Sequence, residues 1–81
     1  MDRDDIFDQI IKFLNEKFKL DYDNEAFELD DDLFEEGYID SKKSQVVIDF
    51  LEKTFSVKVS KGAEIGSVND MVDYIADKKG L

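Results

Sequence analysis

Apolar residues recur with the period of an α-helix in three separate stretches of this chain, and that periodicity limits the fold to a small helical bundle. In the first stretch, residues 5–19, the apolar positions are Ile6, Phe7, Ile10, Ile11, Phe13, Leu14 and Phe18. Plotted on a helical wheel they form one continuous arc, which is typical of a helix that buries one face. The acids at Asp2, Asp4 and Asp5 suit the positive end of such a helix.

Two further stretches show the same pattern. Residues 41–55 carry an apolar face formed by Val46, Val47, Ile48, Phe50, Leu51 and Phe55. Asp40 stands where an N-cap would stand. Residues 67–79 carry an apolar stripe formed by Val68, Met71, Val72, Ile75 and Ala76. Ser67 and Asp70 resemble a capping box at its start, and Gly80 follows its last lysines, so we predict helices over both ranges.

Residues 20–40 and 56–66 connect these helices. The first connection is acidic but contains large apolar residues such as Leu20, Phe27 and Ile39, so we expect an ordered long loop pinned to the helices. For the second we expect a short helical turn over residues 62–66, with Val57, Val59 and Ile65 pointing inward. The predicted fold is all-α: a small three-to-four-helix bundle with a long first loop, forming a single domain over residues 1–81.

Composition excludes several function classes. The 81 residues include no Cys and no His, which removes thiol and imidazole chemistry. The net charge of −10 argues against nucleic acid as a partner and favours basic partners. No stretch is apolar enough for membrane insertion, and the first residues do not form a signal peptide. We expect a soluble, cytoplasmic monomer that is not an enzyme.

The segment G-Y-I-D-S, residues 37–41, is the first candidate site. Gly37 permits a sharp turn before a predicted helix start, where backbone amides and the helix dipole favour anionic oxygens. A phosphate ester on Ser41 would benefit from that position, although the nearby acids oppose it. Taken alone, the motif is better explained by Asp40 or Ser41 acting only as a helix cap.

A resemblance adds to this interpretation. The stretch D-L-F-E-E-G-Y-I-D-S, residues 32–41, looks like the modification site of acyl carrier proteins and their aminoacyl relatives. Residues 46–55 and 65–75 resemble the second and last helices of that family, and the spacing matches from about residue 6 to residue 76. The resemblance implies that Ser41 carries 4′-phosphopantetheine derived from coenzyme A.

The same resemblance implies a function and a set of partners. The protein would hold acyl or aminoacyl intermediates as thioesters on the arm. Its partners would be a phosphopantetheinyl transferase, an acyl- or aminoacyl-loading ligase, and downstream transfer enzymes of fatty-acid or specialised metabolism. Asp40 would help to hold the transferase, and the exposed face of the second helix would contact partners. The residues expected in these contacts are Asp40, Lys42, Lys43, Gln45, Val46 and Asp49.

Two features depart from the fatty-acid carriers of this family. Lys42 stands where the family usually has an apolar residue, and Lys43 follows it. A basic pair beside the arm would favour an anionic cargo or an acidic partner patch, or the two lysines are simply solvated. The form G-x-x-D-S resembles discrete carriers of D-alanine or of specialised pathways more than fatty-acid carriers.

The alternative function is an unmodified acidic helical adaptor or a weak calcium-binding module. Asp21, Asp23, Glu25 and Asp32 fall near the ligand positions of a calcium loop. Ala26 stands where the loop requires Gly, however, so a true EF-hand is not expected and no metal site is assigned.

The aromatic residues are expected mainly in the core. The set is Phe7, Phe13, Phe18, Phe34, Phe50, Phe55 and Tyr74. We give Phe50 a second interpretation, since a large ring on the second helix would fill space that other carriers leave for an acyl chain. Cargo would then be short or would stay outside.

Overall fold

The computed structural model describes all 81 residues and contains three α-helices joined by two long connections. The helices are α1 (Arg3–Phe18), α2 (Ser41–Phe55) and α3 (Val68–Lys79). A single 3₁₀ turn, Tyr22–Asn24, lies in the first connection. No strand is present, and none of the helices is long and apolar enough to cross a membrane. The predicted all-α bundle with a long first loop is confirmed.

Helix α1 begins earlier than predicted because Asp2 caps it. The Asp5 N–H donates to Asp2 Oδ1 at 3.0 Å, and the Asp2 N–H donates back to Asp5 Oδ2 at 3.1 Å. This reciprocal pair satisfies two donors at the helix start, as a capping box does with Ser and Glu. The helix ends where Lys19 adopts a left-handed conformation with φ of 58°. Aspartate pairs of this kind are a weaker sequence signal than Ser with Glu, so the start was missed.

Helices α2 and α3 begin where the sequence predicts. The Asp70 N–H donates to Ser67 Oγ at 3.0 Å, although the return bond of a capping box is not formed. Gly80, with φ of 74°, closes α3 in the left-handed conformation that glycine adopts without strain. The capping signals therefore fix both ends of α3.

The core consists of one buried face from each helix. The buried helical residues are Ile6, Ile10 and Leu14 of α1, Val47, Leu51 and Phe55 of α2, and Val68, Met71, Val72, Ile75 and Ala76 of α3. All of them belong to the predicted apolar faces. In α1 and α2 they are four residues apart, the spacing at which side chains stack along one side of a helix. Helices α1 and α3 make the closest contact between helices.

The first connection is ordered because its apolar side chains complete this core. Leu20, Phe27, Leu33 and Ile39 are buried, as predicted for a pinned loop. The backbone also ties the loop to the start of α3. The Leu33 N–H donates to the Gly66 carbonyl at 2.8 Å, and the Asn69 N–H donates to the Leu29 carbonyl at 3.1 Å.

The second connection differs from the prediction. Residues 62–66 form no helical turn, because Gly62 has φ of 85° and turns the chain instead. Ile65 is buried as expected, but Val57 and Val59 are only half-buried at the edge of the core. The prediction of a helical turn is therefore wrong, and that of inward valines holds only in part.

The aromatic residues form a partly exposed layer rather than the centre of the core. Of the predicted set only Phe55 is fully buried, while the other six are half-buried against the core from outside. Phe13 of α1 stacks on Phe50 of α2 with ring centroids 3.9 Å apart and planes 12° apart. Phe50 therefore joins α2 to α1. Rings of this size bury most of their area while keeping an exposed edge.

Replacing Gly66 by alanine is expected to destabilise the fold. A Cβ at this position would lie 2.6 Å from Asp32 Oδ2 and 2.9 Å from Asp32 Cγ. The Asp32 carboxylate cannot simply swing away, because its Oδ1 accepts the N–H groups of Phe34 and Glu35, each at 3.0 Å. We expect Gly66→Ala to lower the free energy of unfolding by about 1–3 kcal/mol, measured by urea denaturation.

A double-mutant cycle tests the stated cause. In an Asp32→Ala background the clash is removed, so the added cost of Gly66→Ala should largely disappear. An equal cost in both backgrounds would show that the carboxylate is not what excludes a side chain at Gly66.

Candidate functional site

Ser41 is the first residue of α2, and its side chain is available for chemistry. The residue is exposed, and its hydroxyl makes no hydrogen bond within the chain. Capping is done by Asp40, whose Oδ1 accepts the Lys43 N–H at 2.9 Å. The sequence left open which of the two residues caps the helix. The structure assigns that role to Asp40, so Ser41 has no structural task that would occupy its oxygen.

The start of α2 also has unused donors. The backbone N–H groups of Ser41 and Lys42 find no acceptor in the chain. The Asp40 carboxylate accepts the Lys43 N–H instead, and the Asp40 carbonyl accepts the Ser44 N–H. Such amides at the positive end of a helix favour anionic oxygens. The Lys42 side chain is exposed and forms no ion pair. A phosphate ester on Ser41 would therefore meet two amides and a cation.

A chain of loop contacts positions Ser41. The buried Ile39 donates its N–H to the Leu33 carbonyl at 3.0 Å, and Tyr38 donates to the same oxygen at 2.9 Å. Gly37, with φ of 87°, makes the preceding turn. The last loop residues before α2 are thus fixed to the core, although Ser41 itself faces solvent.

The predicted partner-contact residues do not all share one face. Lys42, Gln45, Val46 and Asp49 follow the helical spacing of a single face, on which Val46 is half-buried and the others are exposed. Gln45 Nε2 donates to Asp49 Oδ1 at 3.0 Å. Lys43 instead extends toward α1, where its Nζ lies 5.6 Å from the centroid of the Phe18 ring. The Lys43 ammonium thus lies against α1.

A groove of about 440 Å³ runs between α2 and the second connection. Its lining residues are Phe34, Gln45, Ile48, Glu52, Val59, Ser60, Lys61, Gly62, Ala63 and Ile65. Phe50 is not among them, because its ring stacks on Phe13 of α1. The idea that Phe50 fills space for cargo stays a prediction, and the ring would then do so at the α1–α2 contact.

Two hydrogen-bonded clamps hold the outer wall of this groove, and the sequence did not reveal either. Glu52 Oε2 accepts the Val59 N–H at 2.9 Å. The Tyr74 hydroxyl accepts the Ser60 N–H at 3.0 Å and donates to the Lys58 carbonyl at 3.2 Å. The hydroxyls of Tyr74 and Ser60 lie 3.4 Å apart. Hydrogen bonding to the Ser60 side chain, and then to its N–H, lowers the pKa of Tyr74 below its ordinary value.

The residues that resemble a calcium loop are used differently. Asp21 Oδ1 accepts the Asp23 N–H at 3.1 Å, which shapes the 3₁₀ turn, and Asp32 Oδ1 accepts two loop N–H groups. No three acidic side chains converge in a way that could hold a metal ion. The structure therefore gives no support to the calcium-binding alternative.

Comparison with known proteins yields one match. A family model described as a phosphopantetheine attachment site matches residues 8–75, which is most of the chain. No curated protein and no solved structure matches this chain. The start of α2 fits such a group, since it offers an unbonded serine hydroxyl, two free amides and the Lys42 ammonium.

The Asp40 cap is expected to stabilise the helix that presents Ser41. Asp40→Ala removes the acceptor of the Lys43 N–H and should lower the free energy of unfolding by about 1 kcal/mol. Asp40→Asn keeps a side-chain oxygen at the same place and should cost much less. Urea denaturation of the two variants makes the comparison. Equal losses in both would indicate that charge, rather than capping, is what Asp40 contributes.

The clamp at Tyr74 makes a prediction about its titration. Ser60→Ala removes the first cause of the lowered value, so the pKa of Tyr74 should rise toward that of an ordinary tyrosine. Because the folded-state pKa is the lower one, ionisation of Tyr74 adds stability to the folded state that is fully present above the ordinary tyrosine pKa of 10.0 and is lost as pH falls through the folded pKa. Ring NMR signals followed against pH measure the shift, with Tyr22 and Tyr38 as internal references. An unmoved Tyr74 pKa would contradict the clamp.

Proposed function

The chain belongs to the family of phosphopantetheine-attachment domains, and from this premise we propose that Ser41 carries the arm and that the protein presents acyl or aminoacyl groups on it as thioesters. The observation that carries the proposal is the placement of Ser41. It opens α2 with a free, exposed hydroxyl, while the neighbouring Asp40 performs the capping that would otherwise occupy it.

Members of this family are carriers rather than catalysts, and 4′-phosphopantetheine is bound to them covalently. When bound, the group supplies a thiol on a long flexible arm, and thioesters are better acyl donors than oxygen esters. The protein supplies the attachment oxygen at Ser41 and a helix end that tolerates the phosphate charge. The match to this family does not support the alternative of an unmodified adaptor.

Named residues around Ser41 have separate roles in the proposal. Asp40 fixes the first turn of α2 so that the serine is presented at a constant place. The face of Lys42, Gln45, Val46 and Asp49 contacts the transferase and the loading enzyme. Lys43 is exposed and keeps its predicted place among the partner contacts, and its ammonium also lies over the Phe18 ring of α1.

For the cargo we propose a small acyl or aminoacyl group of a discrete, specialised pathway. The form G-x-x-D-S and the cation at Lys42 support this choice over a fatty-acid carrier. The groove beside α2 has an apolar floor in Phe34, Ile48 and Ile65, which suits the apolar part of such a cargo. Residues 1–81 act in this scheme as one carrier domain, served by a phosphopantetheinyl transferase, a loading ligase and downstream transfer enzymes.

Intact mass spectrometry tests the modification directly. The purified protein is incubated with coenzyme A, Mg²⁺ and a broad-specificity phosphopantetheinyl transferase. We expect the mass to rise by one phosphopantetheinyl group in the wild type and in Ser44→Ala, and not at all in Ser41→Ala. Ser44 is a matched control, since it lies one turn further along the same helix.

Two outcomes would contradict the assignment. Modification of Ser41→Ala would place the arm on another residue. Absence of modification in the wild type, with several transferases and also in a Lys42→Leu variant, would mean that the site is not used. Modification of Lys42→Leu alone would instead show that Lys42 restricts which transferase acts on the protein.

A further inference from the structure

A second groove lies away from Ser41, between the first connection and the start of α3. It has a volume of about 750 Å³. Its lining residues are Tyr22, Asp23, Glu25, Phe27, Glu28, Leu29, Asp30 and Asn69. No residue of α2 takes part, so the function proposed for Ser41 leaves this groove without a role.

The floor of the groove is aromatic and apolar. The Tyr22 ring lies 5.7 Å from that of Phe27, and Phe7 of α1 packs against it edge-on at 6.1 Å. These contacts fix the orientation of the Tyr22 ring. The Tyr22 side chain is half-buried, and its hydroxyl has no hydrogen-bond partner in the chain. Two aromatic side chains, Tyr22 and Phe27, therefore line the groove, and the Tyr22 hydroxyl is unused.

The rim of the groove carries negative charge that nothing in the chain neutralises. The side chains of Asp23, Glu25 and Glu28 form no ion pair and accept no hydrogen bond, while Asp30 accepts one from Asn69 Nδ2 at 2.5 Å. Residues 20–40 contain ten acids and no base. The single ion pair of the protein joins Arg3 to Asp73, which are not part of the groove.

We propose that this groove docks an arginine side chain from a basic segment of a partner protein. A guanidinium is the group that satisfies both features at once, because its plane stacks on aromatic rings while its N–H groups donate to carboxylates and to a hydroxyl. A lysine ammonium would meet the charge but could not stack in this way. A bare metal ion finds no set of converging ligands here.

The partner docked in this way does not require a modified Ser41, because the groove contains no residue of Asp40–Lys43. It therefore contacts the carrier through a surface separate from the α2 face. Peptide binding to the groove can consequently be measured on the unmodified protein, and its result does not depend on whether Ser41 is modified.

An NMR titration tests the proposal with two defined probes. The probes are a capped Gly-Arg-Gly-Arg-Gly peptide and the same peptide with lysine in place of arginine. We expect amide shifts to concentrate in residues 22–30 and at Asn69, with binding of the arginine peptide about two- to five-fold tighter than that of the lysine peptide.

Variants with matched controls separate charge from stacking. Glu25→Gln with Glu28→Gln should weaken both peptides by about five-fold. Asp8→Asn with Glu16→Gln removes the same charge from the exposed side of α1 and should leave binding nearly unchanged. Tyr22→Leu should abolish the preference for arginine over lysine, provided that amide dispersion shows the variant to be folded.

Three results would overturn the proposal. The first is a set of shifts spread over all exposed acids. The second is equal weakening by the groove pair and by the α1 control pair. The third is an arginine preference that persists in Tyr22→Leu or, if that variant unfolds, in Tyr22→Met, which also lacks an aromatic ring.

Discussion

The hydrogen bond from the Leu33 N–H to the Gly66 carbonyl, at 2.8 Å, is the contact on which the rest of the structure depends. It joins the long first connection to the residues that begin α3. On the loop side, the Leu33 carbonyl accepts the N–H groups of Tyr38 and Ile39, the residues that lead into α2. On the other side, Gly66 lets the Asp32 carboxylate approach more closely than a side chain would allow. One backbone junction thus fixes both the start of α3 and the placement of Ser41.

The sequence predicted the elements that follow from local physics. The three apolar faces, the bounds of α2, the Ser67 cap and the glycine end of α3 follow from periodicity and capping, whereas the cap of α2 was left open between Asp40 and Ser41. It also predicted that the first connection is ordered, because a solvated loop has no need of Leu20, Phe27, Leu33 and Ile39. The proposal for Ser41 rests on the combination of a helix start with a resemblance that extends along most of the chain.

The features that escaped prediction are tertiary contacts between residues distant in the sequence. Tyr74 clamps Ser60, and Phe50 stacks on Phe13 rather than beside the α2 groove. The Lys43 ammonium lies over the Phe18 ring, a contact that the sequence did not indicate. Each of these contacts joins residues that are far apart in the sequence, and a helical wheel of one segment does not show such contacts. The missing turn at residues 62–66 has a local cause, the positive φ of Gly62, which outweighed the helix pattern.

The isolation of the Arg3–Asp73 ion pair has a consequence for how the molecule is held together in solution. A protein with a net charge of −10 and a single internal ion pair repels itself, and most of that repulsion must be screened by mobile cations. Counterions therefore help to stabilise the native state, and a lower salt concentration decreases the free energy of unfolding. A basic partner that approaches the acidic surface displaces these ions. Its charges then reduce the same repulsion between acids, so binding of the partner also stabilises the fold.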